Sequence, residues 1–391
     1  MKVVVLGGLG LQGRAALVDL SRSADVDEII CADANLDGWN AFSGTFDSTK
    51  IVPLRIDATS PEALLSVLEQ GVDVAIDLLP LTFMLNIFEA AIKAKVPLVS
   101  TNYAHSLHHL HAQAEAAGIT LMPECGLDPG IDLIIYGHAV KQFDEVSVLK
   151  SYGGGIPEKS ACDNPLNYKV TWNWDMVLRS TKRDSFFIRN GHRLIVSAAE
   201  QHEKCNIHNI SVPGIGELEA IPNGDAVAYT DLLGITETIQ ETGRYALRWP
   251  GWCDFWRPLK KLGFLSSDLL NVSGCQVSPH DFLVSLIEPQ IQFQEGEKDI
   301  VILQNIFEGK KAGKKKRLVA NLLIERDLET GLFAMNMGVS YPTTIVAQMI
   351  VRGEITRRGL LSPVLDIPHD SFMAELSKRG IKINYEMTDL N

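Results

Sequence analysis

Three glycines in the run VVVLGGLGLQGRAAL, Gly8, Gly10 and Gly13, have the spacing of a turn that brings backbone N–H groups against a pyrophosphate. Gly8 permits the tight turn, Gly10 lets the backbone approach a phosphate, and Gly13 lets the next helix pack closely on the strand, with Leu11 and Gln12 belonging to the same cofactor turn. Asp33 lies 20 residues after Gly13, at the end of the strand-like DEIICAD, where an acid would bind an adenosine ribose. Without that context the glycines would be only a tight turn. A carboxylate at that position accepts from a free 2'-hydroxyl and repels a 2'-phosphate, and Ala34 and Asn35 supply no cation, so NAD is expected ahead of NADP.

Those residues need a strand before them and a helix after them, and the chain provides both. KVVVL reads as a buried strand and QGRAALVDLSRS as a helix. The alternation continues through IVPLRID, PEALLSVLEQ, VDVAIDLLP, LTFMLNIFEAAIKA, VPLVSTN and ITLMPEC, which predicts an α/β fold built on a doubly wound parallel sheet. Asp57, Leu79, Pro80, Asn102 and Tyr103 fall at strand ends and are candidates for the cofactor surroundings. From residue 146 to about 340 the texture changes to strand pairs of antiparallel character, notably DIVILQNIFEG and KKRLVANLLIERD around KKAGK.

Composition narrows the function further. A chain of 391 residues with 46% apolar content exceeds one core, so two domains are expected. A formal net charge of -12 argues against nucleic acid, and the basic stretch from Lys310 to Arg317 reads as a solvated hairpin tip. Six scattered cysteines without a CxxC pair predict reduced thiols in a cytoplasmic protein and no zinc site. The apolar stretch VDVAIDLLPLTFMLNIFEAAI carries Asp73, Asp77, Asn86 and Glu89, which would be costly in lipid, so no membrane span is expected. His105 and His109 are four apart on a predicted helix, yet nothing is spaced to complete a ligand set, and no metal is expected.

Five ordered stretches carry a more specific likeness: PECGLDPGID (123–132), SYGGGIPEKSACDNPLNYKVTW (151–172), PNGDAVAY (222–229), GRYALRWPGW (243–252) and VSPHDFL (277–283). Together they resemble the saccharopine dehydrogenase family, which includes lysine 6-dehydrogenases, over nearly the whole chain. The resemblance implies a Rossmann domain over residues 1–124 and about 340–391, with an inserted α/β domain of mixed or antiparallel sheet over 125–339 that binds substrate and dimerises. The implied chemistry is hydride transfer between the nicotinamide and the carbon of a C–N bond in a lysine-derived amino acid.

Such a site must manage the amine proton and hold carboxylates. Within the resemblance, Asp128 of GLDPG is the first candidate to meet the substrate ammonium, capping of the next helix being its structural alternative. Tyr103 is a candidate for substrate or ribose, and Lys169 for a carboxylate ligand or base. Asn164 of DNPL, Arg244 and Arg248 are candidates for binding substrate, though the arginines could equally tie the sheet together. Saccharopine reductases typically show SYCGGLP and PNRDS, where this chain has Gly153 for the cysteine and Gly224 for the arginine. These departures lend weight to a simpler amino acid such as lysine. They also keep open a catalytically inactive NAD-binding member with a redox-responsive or assembly role.

Overall fold

The computed structural model describes residues 1–104 and 106–390, and its chain divides into two units. The first comprises Met1–His138, Glu329–Leu332 and Asn336–Lys382, and the second comprises Ala139–Leu328, Phe333–Met335 and the chain from Ile383 on.

The first unit is built on strands β1 (Lys2–Leu6), β2 (Glu28–Asp33), β3 (Ile51–Arg55), β4 (Val74–Asp77), β5 (Leu98–Ser100) and β6 (Thr120–Met122), arranged β3-β2-β1-β4-β5-β6, with the short strand Gly359–Leu360 beside β6. Every pairing in this sheet is parallel. Central strands of such a sheet are covered on both faces, which is why KVVVL and EIICAD are near-continuous apolar runs. Val4, Leu6, Ile30, Ala32, Leu98 and Leu121 pack with Leu64, Ile87 and Phe88 from the crossover helices into one core. Because the order reverses between β1 and β4, the carboxyl ends of β1, β2 and β4 open a crevice at one sheet edge.

The second unit has a seven-stranded mixed sheet in the order His208–Val212, Gly216–Pro222, Glu241–Arg248, Glu145–Pro157, Asp299–Lys311, Lys314–Glu325, Ile383–Asp389. Strand 241–248 runs parallel to 145–157, and the other neighbours are antiparallel. The last strand, whose residues were expected in the nucleotide domain, instead pairs with 314–325 from Leu322↔Ile383 to Lys316↔Asp389. The basic hairpin tip is matched by acids, Lys310 to Glu145, Lys316 to Asp389 and Arg317 to Glu308. One face of this sheet packs Tyr152, Ile156, Tyr245, Leu247, Ile300 and Ile302, and a separate cluster gathers Tyr168, Trp174, Trp252 and Trp256. Among the described residues no helix is long and apolar enough to cross a membrane.

Candidate active site

β1 leads straight into the glycine turn, where Gly7 N and Gly8 N donate to Ala32 O on β2 at 2.8 and 3.3 Å. Helix α1 (Leu11–Arg22) begins at once, with Gly10 in the cap position and no side chain satisfying its first amides. Those orphan N–H groups and the positive end of the helix form an anion seat. A Cβ on Gly13 would lie 2.6 Å from Gly8 Cα and overlap Gly7 O, so the helix can start this close to the strand turn only with glycine there. A Cβ on Gly10 would meet only Gly7 O, at 3.3 Å, so that position is constrained by what approaches from outside. The cradle suits a dinucleotide pyrophosphate.

Asp33 ends β2 half-buried, and its carboxylate is engaged by the protein. Oδ2 accepts from Leu9 N at 2.9 Å and Oδ1 from Asn35 N at 3.1 Å, so the acid braces the glycine turn. Two guanidiniums flank it. Arg14 donates to Leu9 O at 3.0 Å and lies 5.2 Å from the Phe42 ring centroid, while Arg55, the register partner of Asp33 on β3, donates to Ala34 O at 3.0 Å. Reading only the residues next to Asp33 in sequence missed both cations, because one comes from α1 and the other from the neighbouring strand.

At the ends of β4 and β5, Asp77 is fully buried. Burial pushes its carboxyl up to about 6, against donation from Leu79 N (3.0 Å), Ser100 Oγ (2.8 Å) and Asn102 Nδ2 (3.3 Å). Asn102 also donates to Leu79 O at 3.2 Å, so two expected cofactor neighbours are tied into one network, with Pro80 exposed beside it. Asp77 was missed as a site residue, although an acid closing an apolar strand was the available signal. Asp57 is not part of this network: it is exposed and accepts from Thr59 N at 2.9 Å and Thr59 Oγ1 at 2.7 Å in its own turn.

After β6 the chain passes Glu124, at φ 61, and forms the PECGLDPGID loop. Glu124 N donates to Asn102 O (3.0 Å) and Cys125 N to Ser100 O (2.9 Å), which brings this loop beside the segment carrying Tyr103. The loop closes on itself through Gly126 N to Pro129 O (2.8 Å) and Ile131 N to Gly126 O (2.9 Å), with Asp128–Pro129 cis. Gly130, at φ 146, has no room for a Cβ, which would overlap Gly126 O. Asp128 is half-buried on this loop. The carboxylate seen bonding an amide at the start of helix Ile131–Val140 is that of Asp132, which accepts from Gly130 N at 2.8 Å.

In the second unit two expected site residues have structural work. Lys169 is 2% exposed, and its Nζ lies 2.7 and 2.8 Å from the Glu297 oxygens and 3.0 Å from Asp163 Oδ2. Burial alone would lower its pKa, but the two carboxylates raise it, so it is a held cation and not a base. Asn164 Oδ1 accepts from Leu166 N at 3.0 Å and its Nδ2 donates to Tyr168 O at 2.9 Å, which fixes the turn. Arg244 and Arg248 point to the same side of strand 241–248 by their spacing, and both are buried. Arg248 is stacked 5.2 Å from both Tyr168 and Trp252 and donates to Leu247 O at 2.7 Å, without a carboxylate partner. Gly224 has φ 73 with nothing within 4 Å of a built Cβ.

His105 lies outside the described residues, so its pairing with His109 is not placed. Elsewhere among the described residues His138, His369 and Asp370 bring three ligand-type atoms within 4.8 Å, but the imidazoles stack at 3.5 Å and 14°, which sets their in-plane lone pairs side by side and not toward one point.

Comparison with known proteins fits this geometry. Residues 3–122 match the saccharopine dehydrogenase NADP binding domain, and residues 126–381 match the saccharopine dehydrogenase C-terminal domain. The chain is 28% identical to saccharopine dehydrogenase [NADP(+), L-glutamate-forming] of Saccharomyces cerevisiae, over 97% of this chain and 98% of that protein. It is 26% identical to the Schizosaccharomyces pombe protein of the same name, over the full length of both. The structure resembles the apo histidine-tagged saccharopine dehydrogenase (L-Glu forming) from Saccharomyces cerevisiae with a TM-score of 0.86 and 25% identity, over 99% of each chain. These matches overturn the expectation of NAD ahead of NADP, since the matched domain and the yeast relatives are NADP-binding. That expectation rested on Asp33 and its chain neighbours alone, whereas Asp33 Oδ2 is engaged by Leu9 N and Oδ1 by Asn35 N, and the guanidiniums of Arg14 and Arg55 bond the adjacent carbonyls of Leu9 and Ala34.

Proposed function

The chain belongs to the saccharopine dehydrogenase family, and on that basis we propose that it transfers a hydride between NADP(H) and the carbon of a C–N bond in a lysine-derived amino acid, with Asp128 managing the amine proton. The observation that carries the reading is the closed loop after β6. It places Asp128 at the same carboxyl edge of the parallel sheet as the phosphate-binding turn after β1. Bound NADP(H) supplies or accepts the hydride at C4 of its nicotinamide. The remaining work falls to the chain. The amides of α1 would hold the pyrophosphate, and Arg14 and Arg55 would supply the cations for the 2'-phosphate. Asp77, through Leu79 and Asn102, fixes the loops after β4 and β5 that would support the nicotinamide end of the cofactor. Asp128 takes a proton from the substrate ammonium, because a protonated nitrogen has no lone pair to support loss of hydride from its carbon. Tyr103, on the adjoining segment, orients the substrate or the ribose. Within the second unit, Arg244 and Arg248 are the candidates to bind carboxylates, Arg248 being held by an aromatic cage without a counter-ion among the described residues.

The substrate follows from the C–N chemistry and the carboxylate count. Saccharopine, the substrate in the names of the relatives, is the first choice. Gly224 favours a second reading, because no side chain reaches out from that position, so a substrate with fewer carboxylates, such as lysine, would lose nothing there. The test assays saccharopine and lysine with NADP+, following reduced nicotinamide by absorbance, in the wild type and Asp128→Asn. The variant keeps the shape and loses the charge, so turnover is expected to fall on the order of 100-fold with the melting temperature unchanged. Normal turnover in the variant removes Asp128 from the chemistry. Free cysteines at all six positions support a reducing, cytoplasmic setting, and the inserted unit supports a homodimer.

A further inference from the structure

Beneath the loop that carries Asp128 lie two carboxyl side chains that the amine chemistry leaves unused. Asp132 is 0% exposed and Glu124 4% exposed, one from the first turn of helix Ile131–Val140 and the other from the chain leaving β6. A helix-starting aspartate ordinarily sits in the cap position at the surface, where ionisation costs little. Asp132 instead lies inside the helix, out of water, and accepts from the amide of Gly130, two residues before it. Burial of that kind is unfavourable for stability, and such groups gather where geometry matters for chemistry.

We propose that Asp132 is a positioning residue for the C–N reaction: its carboxyl fixes Gly130, and through the closed Gly126–Gly130 loop it aims Asp128. The inference rests on the role proposed above for Asp128. The loop has little freedom to absorb a change at Gly130, since Gly126 N is bound to Pro129 O and Ile131 N to Gly126 O, with Gly130 in backbone contact with Gly126. A shift at Gly130 therefore moves Pro129 and Asp128 with it, and a misplacement of about 1 Å is enough to cost on the order of 100-fold in rate.

The charge state of Asp132 bears on the same bond. Burial pushes its carboxyl up to about 7, the amides of Gly130 and Leu133 oppose the rise, the charge of Glu124 adds to it, and the Tyr136 hydroxyl on the next turn lowers it. Glu124 from the β6 exit and Tyr136 from its own helix are thus the ionisable groups facing it. An ionised Asp132 accepts the Gly130 N–H more strongly than a neutral one, so the loop is held more firmly as the pH rises through that value.

The experiment compares Asp132→Ala and Asp132→Asn with the wild type and Asp128→Asn, using saccharopine with NADP+, and measures kcat, KM, NADPH affinity and melting temperature. Asp132→Ala is expected to lose about 10-fold or more in kcat with KM and NADPH affinity little changed. Asp132→Asn, whose amide oxygen can still accept from Gly130, is expected to recover most of kcat and to flatten its pH dependence on either side of about 7. Normal kcat in Asp132→Ala, with Asp128→Asn inactive, overturns this inference alone. Equal losses of kcat, NADPH affinity and melting temperature that Asn does not rescue also overturn it, because they describe a merely structural residue. Should Asp132→Ala fail to fold, an unchanged pH profile in Asp132→Asn overturns it. Turnover that survives Asp128→Asn, or a wild type inactive on saccharopine, removes the parent reading and this one with it.

Discussion

Asp33 stands where an acid would bind a ribose, yet both its oxygens accept from backbone amides of the protein, and under the proposed function Arg14 and Arg55 are the cations for a 2'-phosphate. The double substitution of these arginines by alanine removes two charge-assisted donors, each worth roughly 1.5–3 kcal/mol, so NADPH affinity measured by calorimetry is expected to fall at least 10-fold while NADH affinity stays nearly constant. An equal fall for both nucleotides would place the arginines at the pyrophosphate instead. Asp132 gives a second residue-level expectation. Its folded value is about 7 against an ordinary 3.8, so its contribution to stability is full below the ordinary carboxylate range and is lost as the pH rises through about 7. Buried Asp77, pushed up to about 6, acts in the same direction. The wild type is therefore expected to lose melting temperature between about pH 4 and 7 more steeply than Asp132→Asn. Parallel curves would mean that Asp132 does not titrate in that range.

Helix α1 and its turn make the two glycines at positions 10 and 13 testable against each other. Gly10→Val adds a Cβ that meets only Gly7 O, at 3.3 Å, so the fold is expected to survive while NADPH binding is lost; Gly13→Ala forces the helix off the strand turn, so stability itself is expected to fall. Thermal melts paired with NADPH titration separate the outcomes, and retained binding in Gly10→Val would move the cofactor elsewhere. The alternation of strand and helix through residue 122 was legible because each element declares itself by local periodicity. So was the hairpin 299–325, with its turn at Ala312 and Gly313. What the sequence hid are partnerships across distance. Lys169 reads as a base or a surface lysine until Glu297, 128 residues away, closes on it. Asp132 reads as part of a helix start until the loop folds over it, and Arg55 is seen beside Asp33 only once β3 is placed in register with β2.

At the scale of the molecule, the second unit exposes large apolar side chains along one stretch of chain, among them Leu262 (74% exposed), Leu269 (65%), Leu270, Val272 and Phe282. Such surface is costly to leave in water and is the kind that a second copy would cover. Light scattering is expected to give twice the chain mass of 43.0 kDa, and Leu270→Glu with Phe282→Glu to halve it; a monomeric wild type at micromolar concentration would sink the proposal. The path of the chain has a further consequence. The parallel sheet takes its Gly359–Leu360 strand, and the mixed sheet its Ile383–Asp389 strand, from the last tenth of the described chain. In chain order β6 is therefore made long before Gly359–Leu360 pairs with it, and strand 314–325 long before Ile383–Asp389 covers its edge. Until each later strand pairs, the earlier one is an open edge, and that interval is when a nascent chain most needs a chaperone.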